Sequence, residues 1–283
     1  MEKIQSAIAK ARATRTGPPN PVAGMPGSAP LPLRETTAAN VPPAAAQVEA
    51  AWAALPALVP DAGQMARHRI VAFEGGREAV TFDVMRTRLL QQMRANNWRR
   101  LAITSPGAGC GKSMIALNLG FSLARQADLR TVVAELDLRR PSLAKTLAIR
   151  EPHSFARVLE GTAKLEDNAL RYGQNLIFST NQNPFRNPAE LLHSPSVTPV
   201  LADIEARYDP SLMIFDLPPL LVSDDAMAFV SHVDCVLLVA AAETSTIKEI
   251  DICERDLASQ TNVLGVVLNK CRYTDSSYGY GYY

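Results

Sequence analysis

The sequence predicts an α/β domain with a doubly wound, mostly parallel sheet. Three features support this: short apolar runs rich in β-branched residues, longer runs with helical spacing, and glycine-rich or acidic segments directly after several apolar runs. Strands that are apolar on both faces and joined by helices need cover on both sides. The predicted strands are Leu101–Thr104, Thr131–Leu136, Leu176–Ser179, Leu212–Phe215, Cys235–Ala240 and Val263–Leu268, and the helices between them include Lys112–Ala127, Val197–Tyr208 and Thr246–Gln260.

The composition of the chain disfavours several classes of function. The 283 residues carry 29 Lys and Arg against 28 Asp and Glu, so the net charge of +1 disfavours a nucleic-acid partner. The four cysteines have no zinc-ligand or dithiol spacing and are expected to be reduced thiols. No apolar run approaches the roughly 20 residues that cross a bilayer, and the start lacks an export signal. We therefore expect a cytoplasmic protein without a transmembrane segment.

The first sixteen residues show helical periodicity. Ile4, Ala7, Ile8 and Ala11 recur at helical spacing among basic residues, which predicts an amphipathic helix over residues 1–16. A helix this short is only marginally stable alone. A solvated terminus and a docking helix for a partner or an anionic membrane surface both remain open.

The remaining chain divides by composition. Ten of the twenty prolines lie between Pro18 and Pro60, which predicts a Pro- and Ala-rich linker over residues 17–63. Residues 64–271 carry the strand and helix pattern and form the predicted domain. Residues 272–283 are rich in Tyr, Gly and Ser, contain nothing that builds a core, and are predicted to be a flexible tail.

A glycine-rich loop follows the first predicted strand. The segment PGAGCGKS, residues 106–113, leads directly into a helix, and such a loop folds its amides around phosphate oxygens at the helix amino end. Lys112 is expected to reach the β and γ phosphates, while Ser113 holds Mg²⁺. The predicted nucleotide contacts are Gly107, Ala108, Gly109, Cys110, Gly111, Lys112, Ser113 and Met114.

Carboxylates follow two further strands. Glu135 and Asp137 lie in ELDLRRP after the second strand, and Asp216 lies in MIFDLPP after the fourth. Phosphoryl transfer needs a metal held among phosphate oxygens and a group that orients the attacking hydroxyl. Acids at these strand ends are the expected complement to Lys112.

Together these motifs resemble the bacterial tyrosine kinases of capsule and exopolysaccharide synthesis, a P-loop NTPase family, over about two thirds of the chain. PGAGCGKS is similar to their Walker A motif, VVAELDLRRPSL to Walker A′ and LMIFDLPP to Walker B. NPAELLHSP, VLGVVLN and the closing YTDSSYGYGYY also resemble family segments.

The resemblance implies an ATP-dependent tyrosine autokinase that regulates polysaccharide synthesis and export, with ATP and Mg²⁺ as cofactors. In that scheme Lys112 and the loop amides hold the phosphates, and Ser113, Asp137 and Asp216 manage Mg²⁺. Glu135 takes the position of the base for the tyrosine hydroxyl, and Asn269 faces the adenine.

The closing residues are the implied substrate. Five of the seven tyrosines lie in the last eleven residues, and phosphorylation of each adds roughly −1.5 to −2 charges. The implied phosphorylation sites, used between subunits of a homo-oligomer, are Tyr273, Tyr278, Tyr280, Tyr282 and Tyr283. The resemblance also implies an inner-membrane polysaccharide co-polymerase as activator, peripheral membrane association through it, and a cognate tyrosine phosphatase.

Several positions depart from the family pattern. Pro106 replaces the first loop glycine, Glu135 replaces an Asp, and Leu217 replaces a hydroxyl residue after Asp216. The ring-assembly motif Glu-x-x-Arg-x-x-Arg aligns with Val80, Asp83 and Arg86, so only its last position matches. Two alternatives therefore stay open: a Min/Par-type positioning ATPase and a catalytically weak nucleotide-binding scaffold.

Overall fold

The computed structural model describes residues 45–271, and within this range the chain forms one seven-stranded sheet. The strands are β1 Arg100–Thr104, β2 Thr131–Glu135, β3 Ala169–Tyr172, β4 Leu176–Ser179, β5 Leu212–Asp216, β6 Cys235–Ala241 and β7 Asn262–Asn269. Their spatial order is β3-β4-β2-β5-β1-β6-β7. All neighbouring pairs are parallel except β3 and β4, so the predicted α/β fold with a mostly parallel sheet is confirmed.

Helices connect the strands and cover the sheet. Within residues 45–271 they are α1 Ala45–Ala54, α2 Ala62–Arg67, α3 Val80–Ala95, α4 Lys112–Ala124, α5 Leu143–Thr146, α6 Phe155–Leu159, α7 Pro188–Leu192, α8 Val197–Tyr208, α9 Asp225–Val230 and α10 Ile247–Ala258. Two 3₁₀ turns, Arg77–Ala79 and Leu165–Asp167, precede α3 and β3. None of these helices has the length and apolar character that crossing a bilayer requires.

Side-chain alternation along the strands builds two cores, one on each face of the sheet. In β5, Met213 and Phe215 enter the core that includes α8 and α9, whereas Leu212 and Ile214 enter the core beneath α4. Every residue of β5 is buried. This double burial explains why the central strands read as continuous apolar runs in the sequence.

Helix α4 is the most deeply enclosed connection. Ten of its thirteen residues are buried, so it packs inside the domain instead of covering it with one stripe. Gly120 permits a close approach to the sheet, because a β-carbon there would lie 3.0 Å from Val133 Cγ2. The loop that precedes this helix is therefore attached to a rigid element.

The strand predictions hold to within one residue at each end, but β3 was missed. Ala169–Tyr172 is only four residues long and contains Arg171 and Tyr172, so it lacks the apolar run that marked the other strands. It pairs antiparallel with β4 at the edge of the sheet, where only part of the strand needs to be buried.

The predicted linker over residues 17–63 requires correction in its last part. Residues 45–54 form α1, whose Val48 and Trp52 are buried in the core, and Trp52 Nε1 donates a 2.7 Å hydrogen bond to the Tyr208 carbonyl. Beyond α1, Leu58 N donates to Arg171 O, which fixes the chain beside β3. The segment is folded because burial of the Trp52 indole stabilises it, although its composition is typical of a linker. The predicted helix of residues 1–16, residues 17–44 and the tail of residues 272–283 lie outside the described residues.

Replacing Trp52 tests whether this segment belongs to the folded domain. Trp52→Ala removes a side chain that is 3% exposed, and we expect the free energy of unfolding to fall by about 3–5 kcal/mol in urea denaturation. Glu49→Ala, on the exposed side of α1, is the control and should stay within about 0.5 kcal/mol of wild type. Equal stability of the two variants would show that α1 contributes little to the fold.

Candidate functional site

The three strands that end in the predicted motifs are neighbours in the sheet. β5 lies between β2 and β1, and its last residue, Asp216, pairs in register with Glu135 of β2 and Ile103 of β1. Parallel strands place their carboxyl ends along one edge of the sheet. The glycine-rich loop and both acidic segments therefore meet there, although they are separated by up to about a hundred residues in sequence.

The loop after β1 is held by the segment that follows β5. Thr104 Oγ1 donates to Pro218 O at 2.7 Å, and Leu220 N donates to Ser105 O at 2.8 Å. Leu221 N donates to the carbonyl of Pro106. Because Pro106 contributes its carbonyl and needs no N–H here, its replacement of the first glycine is compatible with the loop.

Two loop glycines have left-handed backbone conformations. Gly109 has φ +77° and Gly111 has φ +95°, a region that favours glycine. A β-carbon on Gly111 would also lie 2.2 Å from Asn269 Nδ2. Asn269 Nδ2 donates to Cys110 O at 2.8 Å, so the residue predicted to face adenine also supports the loop.

Lys112 lies between two carboxylates. Its Nζ is 2.8 Å from Asp137 Oδ2 and 3.5 Å from Asp216 Oδ1, and the lysine side chain is 10% exposed. Burial lowers the pKa of Lys112, but the attraction of Asp216 and Asp137 outweighs it and leaves the pKa raised. The ammonium is therefore held in its charged form beside the loop.

The carboxylate of Asp216 can accept more hydrogen bonds than the described residues provide. This carboxylate is completely buried, and within the described residues neither oxygen accepts a hydrogen bond of good geometry, although the side chains of Ser113 and Lys112 face it. Burial raises the pKa of Asp216, although the nearby Lys112 opposes this shift. A buried carboxylate oxygen without a donor is costly, and a divalent cation would satisfy it.

These residues fit the predicted Mg²⁺ site. Ser113 follows Lys112 at the start of α4, and Asp137 Oδ2 accepts a hydrogen bond from Lys112 Nζ. No group of three His, Cys, Asp or Glu side chains in residues 45–271 forms a complete metal cage. Mg²⁺ commonly binds one or two carboxylates together with water and substrate phosphates, which agrees with this oxygen-only set.

Glu135 has a different environment from the one its predicted role suggested. Its Oε1 accepts hydrogen bonds from Ser142 N at 2.5 Å and Leu143 N at 2.8 Å, and its Oε2 accepts one from Asn181 N at 2.9 Å. The side chain is fully buried, and burial raises the pKa of Glu135 to about 7. Both oxygens thus hold the main chain after β2 and β4.

Sequence reasoning missed Asn181 and Asp225. Asn181 Nδ2 donates to Glu135 O, and Asn181 Oδ1 accepts from Ala156 N, so this side chain links the loop after β4 to the end of β2 and the start of α6. The buried Asp225 binds Arg139 through two hydrogen bonds of 2.5 and 2.9 Å. For Asn181, the sequence offered one signal, its position two residues after the end of a predicted strand.

The residue aligned with the middle arginine of the ring-assembly motif is bound within the chain. Asp83 Oδ1 accepts from Ser122 Oγ at 2.6 Å and also pairs with Arg86 and Arg125. These contacts join α3 to α4. Asp83 thereby stabilises helix packing at a position where the family pattern has a cation.

The fold and the loop define a nucleotide-binding domain of the P-loop class. The chain belongs to the CobQ/CobB/MinD/ParA nucleotide binding domain family, whose family model matches residues 101–278.

Several named proteins are similar to this chain in sequence. A putative tyrosine-protein kinase in the cps region of Klebsiella pneumoniae is 31% identical over 204 residues, which are 71% of this chain and 26% of that protein. The chain thus spans about a quarter of the length of several curated relatives it matches. Tyrosine-protein kinase CpsD of Streptococcus pneumoniae serotype 4 is 27% identical, with coverage of 66% of this chain and 83% of CpsD.

Solved structures agree with these relatives. The kinase domain of Escherichia coli tyrosine kinase ETK is 26% identical, with a TM-score of 0.63 and coverage of 72% of this chain and 80% of that domain. The VpsO kinase domain is 28% identical, with a TM-score of 0.60 and coverage of 69% and 96%.

Gly111 provides a test of the loop geometry. Gly111→Ala adds a clash with Asn269 and backbone strain of about 1–3 kcal/mol, so we expect ATP affinity to fall about tenfold or more in calorimetry with Mg²⁺. Gly161→Ala is the matched control, because Gly161 also has a positive φ of +74° with no atom within 4 Å of a β-carbon, but lies outside the loop and should change affinity less than about threefold. Equal losses in both variants would contradict the observed loop.

Glu135 should make stability depend on pH. Its folded-state pKa is raised from near 4.5 to about 7, so the unfolded chain binds fewer protons between these values and stability falls as pH rises through them. Glu135→Gln cannot titrate and should lose less stability between pH 5 and pH 8. Urea unfolding of both proteins at the two pH values measures this, and parallel pH dependences would exclude it.

Proposed function

We propose that this chain is an ATP-dependent protein tyrosine autokinase that acts in capsule or exopolysaccharide synthesis and export. The observation that carries the proposal is Lys112, held between Asp137 and Asp216 at the mouth of a glycine-rich loop. The kinase names of the relatives, and the tyrosine cluster in the same chain, support tyrosine as the acceptor.

ATP would bind with its phosphates against the amides of residues 107–114, where Lys112 and the amino end of α4 supply positive charge. Asn269, next to the loop, is the proposed adenine neighbour. Ser113, Asp137 and Asp216 would hold Mg²⁺, which offsets charge on the transferred phosphoryl group when bound. Lys112 is then free to turn from the carboxylates toward the phosphates.

In the proposed transfer, the phenol oxygen of a tyrosine bonds to the γ phosphorus as the bond to the β–γ bridging oxygen breaks. ADP leaves with that electron pair, and the phenol proton passes to a site carboxylate. Glu135 was predicted for this role, but its three main-chain hydrogen bonds support a positioning function. Asp137 is 7% exposed whereas Asp216 and Glu135 are fully buried, so the proton would pass to the Asp137 oxygen that does not bind Mg²⁺.

The wider arrangement belongs to the same proposal. Residues 64–271 with α1 are the catalytic domain, residues 272–283 are the substrate tail, and another subunit of a homo-oligomer provides the site. An inner-membrane polysaccharide co-polymerase would activate the kinase and keep it at the membrane. A tyrosine phosphatase would reverse the modification.

Phosphate transfer to the tail is the direct test. The full chain, incubated with Mg²⁺, ATP and the cytosolic segment of the activating co-polymerase, should gain phosphate on Tyr273, Tyr278, Tyr280, Tyr282 or Tyr283, as read by intact mass and peptide mapping. Lys112→Met removes the ammonium that offsets phosphate charge, so the rate should fall by about a hundredfold or more. Lys145→Met, at an exposed lysine of α5, is the matched control and should react like wild type.

The two alternatives give different products. Release of free phosphate without phosphotyrosine would overturn the proposal in favour of a positioning ATPase. Nucleotide binding without either product would favour a scaffold. Unfolding curves of Lys112→Met establish that the loss comes from chemistry and not from misfolding.

A further inference from the structure

Within the described residues, one edge strand of the sheet is covered by another segment and the other edge strand is not. At the β3 edge, Leu58 N donates to Arg171 O and Arg171 N donates to Pro56 O, so an extended segment covers the strand. At the opposite edge, β7 pairs only with β6 within residues 45–271. The outer side of β7 therefore presents main-chain groups to whatever approaches it.

The second half of β7 is also apolar and accessible. Val266 is 45% exposed and Leu268 is 58% exposed, and both point to the face of the sheet that α10 partly covers. Edge strands are commonly protected by charged residues or proline, and Val266–Asn269 contains neither. This stretch has the features of a surface that accepts an added strand.

We propose that this edge is the docking site for the tyrosine tail, residues 272–283, of a second copy of the chain. In the tail, Tyr278, Tyr280 and Tyr282 alternate with Gly279 and Gly281. Residues two apart share one face of a strand, so an extended tail presents three tyrosines on one side and only hydrogen on the other. The tyrosine side matches Val266 and Leu268, which are also two apart.

The tail of the same copy fits this surface poorly. It follows β7 directly, after Lys270 with φ +59°. A tight two-residue turn at Lys270 and Cys271 would place Tyr273 opposite Leu268, but Asp275 opposite Val266 and Tyr278 opposite Val263. The Tyr-Gly stretch would then pass beyond the exposed pair, whereas the tail of a second copy is free to choose its register.

The position of the edge connects docking to the nucleotide site. β7 ends at Asn269, whose Nδ2 contacts the carbonyl of Cys110 in the glycine-rich loop. A strand bound along Val266–Leu268 therefore ends beside that loop, and tail residues beyond the bound strand would extend from there toward the nucleotide site. Its role as substrate docking rests on the proposed kinase function, but docking itself needs no phosphate transfer.

Binding of a synthetic peptide tests the docking surface. A fluorescent peptide of residues 272–283 is titrated with the full chain, without ATP, and binding is read by anisotropy. Val266→Thr with Leu268→Thr keeps strand propensity but removes the apolar contacts, and we expect affinity to fall about tenfold. Val59→Thr, at an 85% exposed valine beyond the opposite edge, is the matched control and should bind like wild type.

Peptide backbone methylation tests strand addition without changing the protein. Only alternate residues of an added strand direct their N–H groups to the edge. N-methylation at Gly279 and Gly281, or at Tyr278 and Tyr280, should therefore abolish binding in one pattern and spare it in the other. Equal effects of the two patterns, unchanged affinity of the Thr variant, or no peptide binding would each overturn the proposal.

Phosphotyrosine analysis separates this proposal from the proposed function. If the peptide docks as expected but gains no phosphate even with the activating co-polymerase segment present, docking at β7 stands and the kinase proposal is refuted. Transfer to the peptide at the same rate by wild type and the Thr variant would support the kinase and refute docking at β7.

Discussion

The candidate site depends on one buried ammonium group that lies between two buried carboxylates. Lys112 offsets the charge of Asp137 and Asp216 at an edge of the sheet where water has little access. Burial raises the pKa of Asp216, and within the described residues its oxygens accept no hydrogen bond of good geometry. Such an arrangement is costly alone and becomes favourable when a divalent cation and phosphate groups complete it.

The sheet order makes this arrangement possible. β2, β5 and β1 are adjacent, and their carboxyl ends supply Asp137, Asp216 and the loop that carries Lys112. Helix α4 is buried along most of its length, so the start of the helix is fixed relative to the strands. The rigid core thus positions a small number of charged atoms, as phosphoryl-transfer sites require.

Glu135 illustrates how a substitution can change the function of a position. Its longer side chain reaches the amides of Ser142, Leu143 and Asn181, and these three hydrogen bonds hold the loops after β2 and β4. A carboxylate with both oxygens engaged by the main chain is well suited to support the site.

The sequence alone predicted the α/β class and six of the seven described strands, because apolar periodicity is a local signal. Its short motifs also predicted that Lys112, Asp137 and Asp216 would lie together at the strand ends, as they do. Only the tertiary structure decided that α1 belongs to the domain, that β3 exists, and that Glu135 faces backbone amides. It also decided that Asn269 supports the glycine-rich loop, as Nδ2 meets Cys110 O. These features depend on contacts between residues far apart in the chain, such as Trp52 with Tyr208, for which local propensity carries no information.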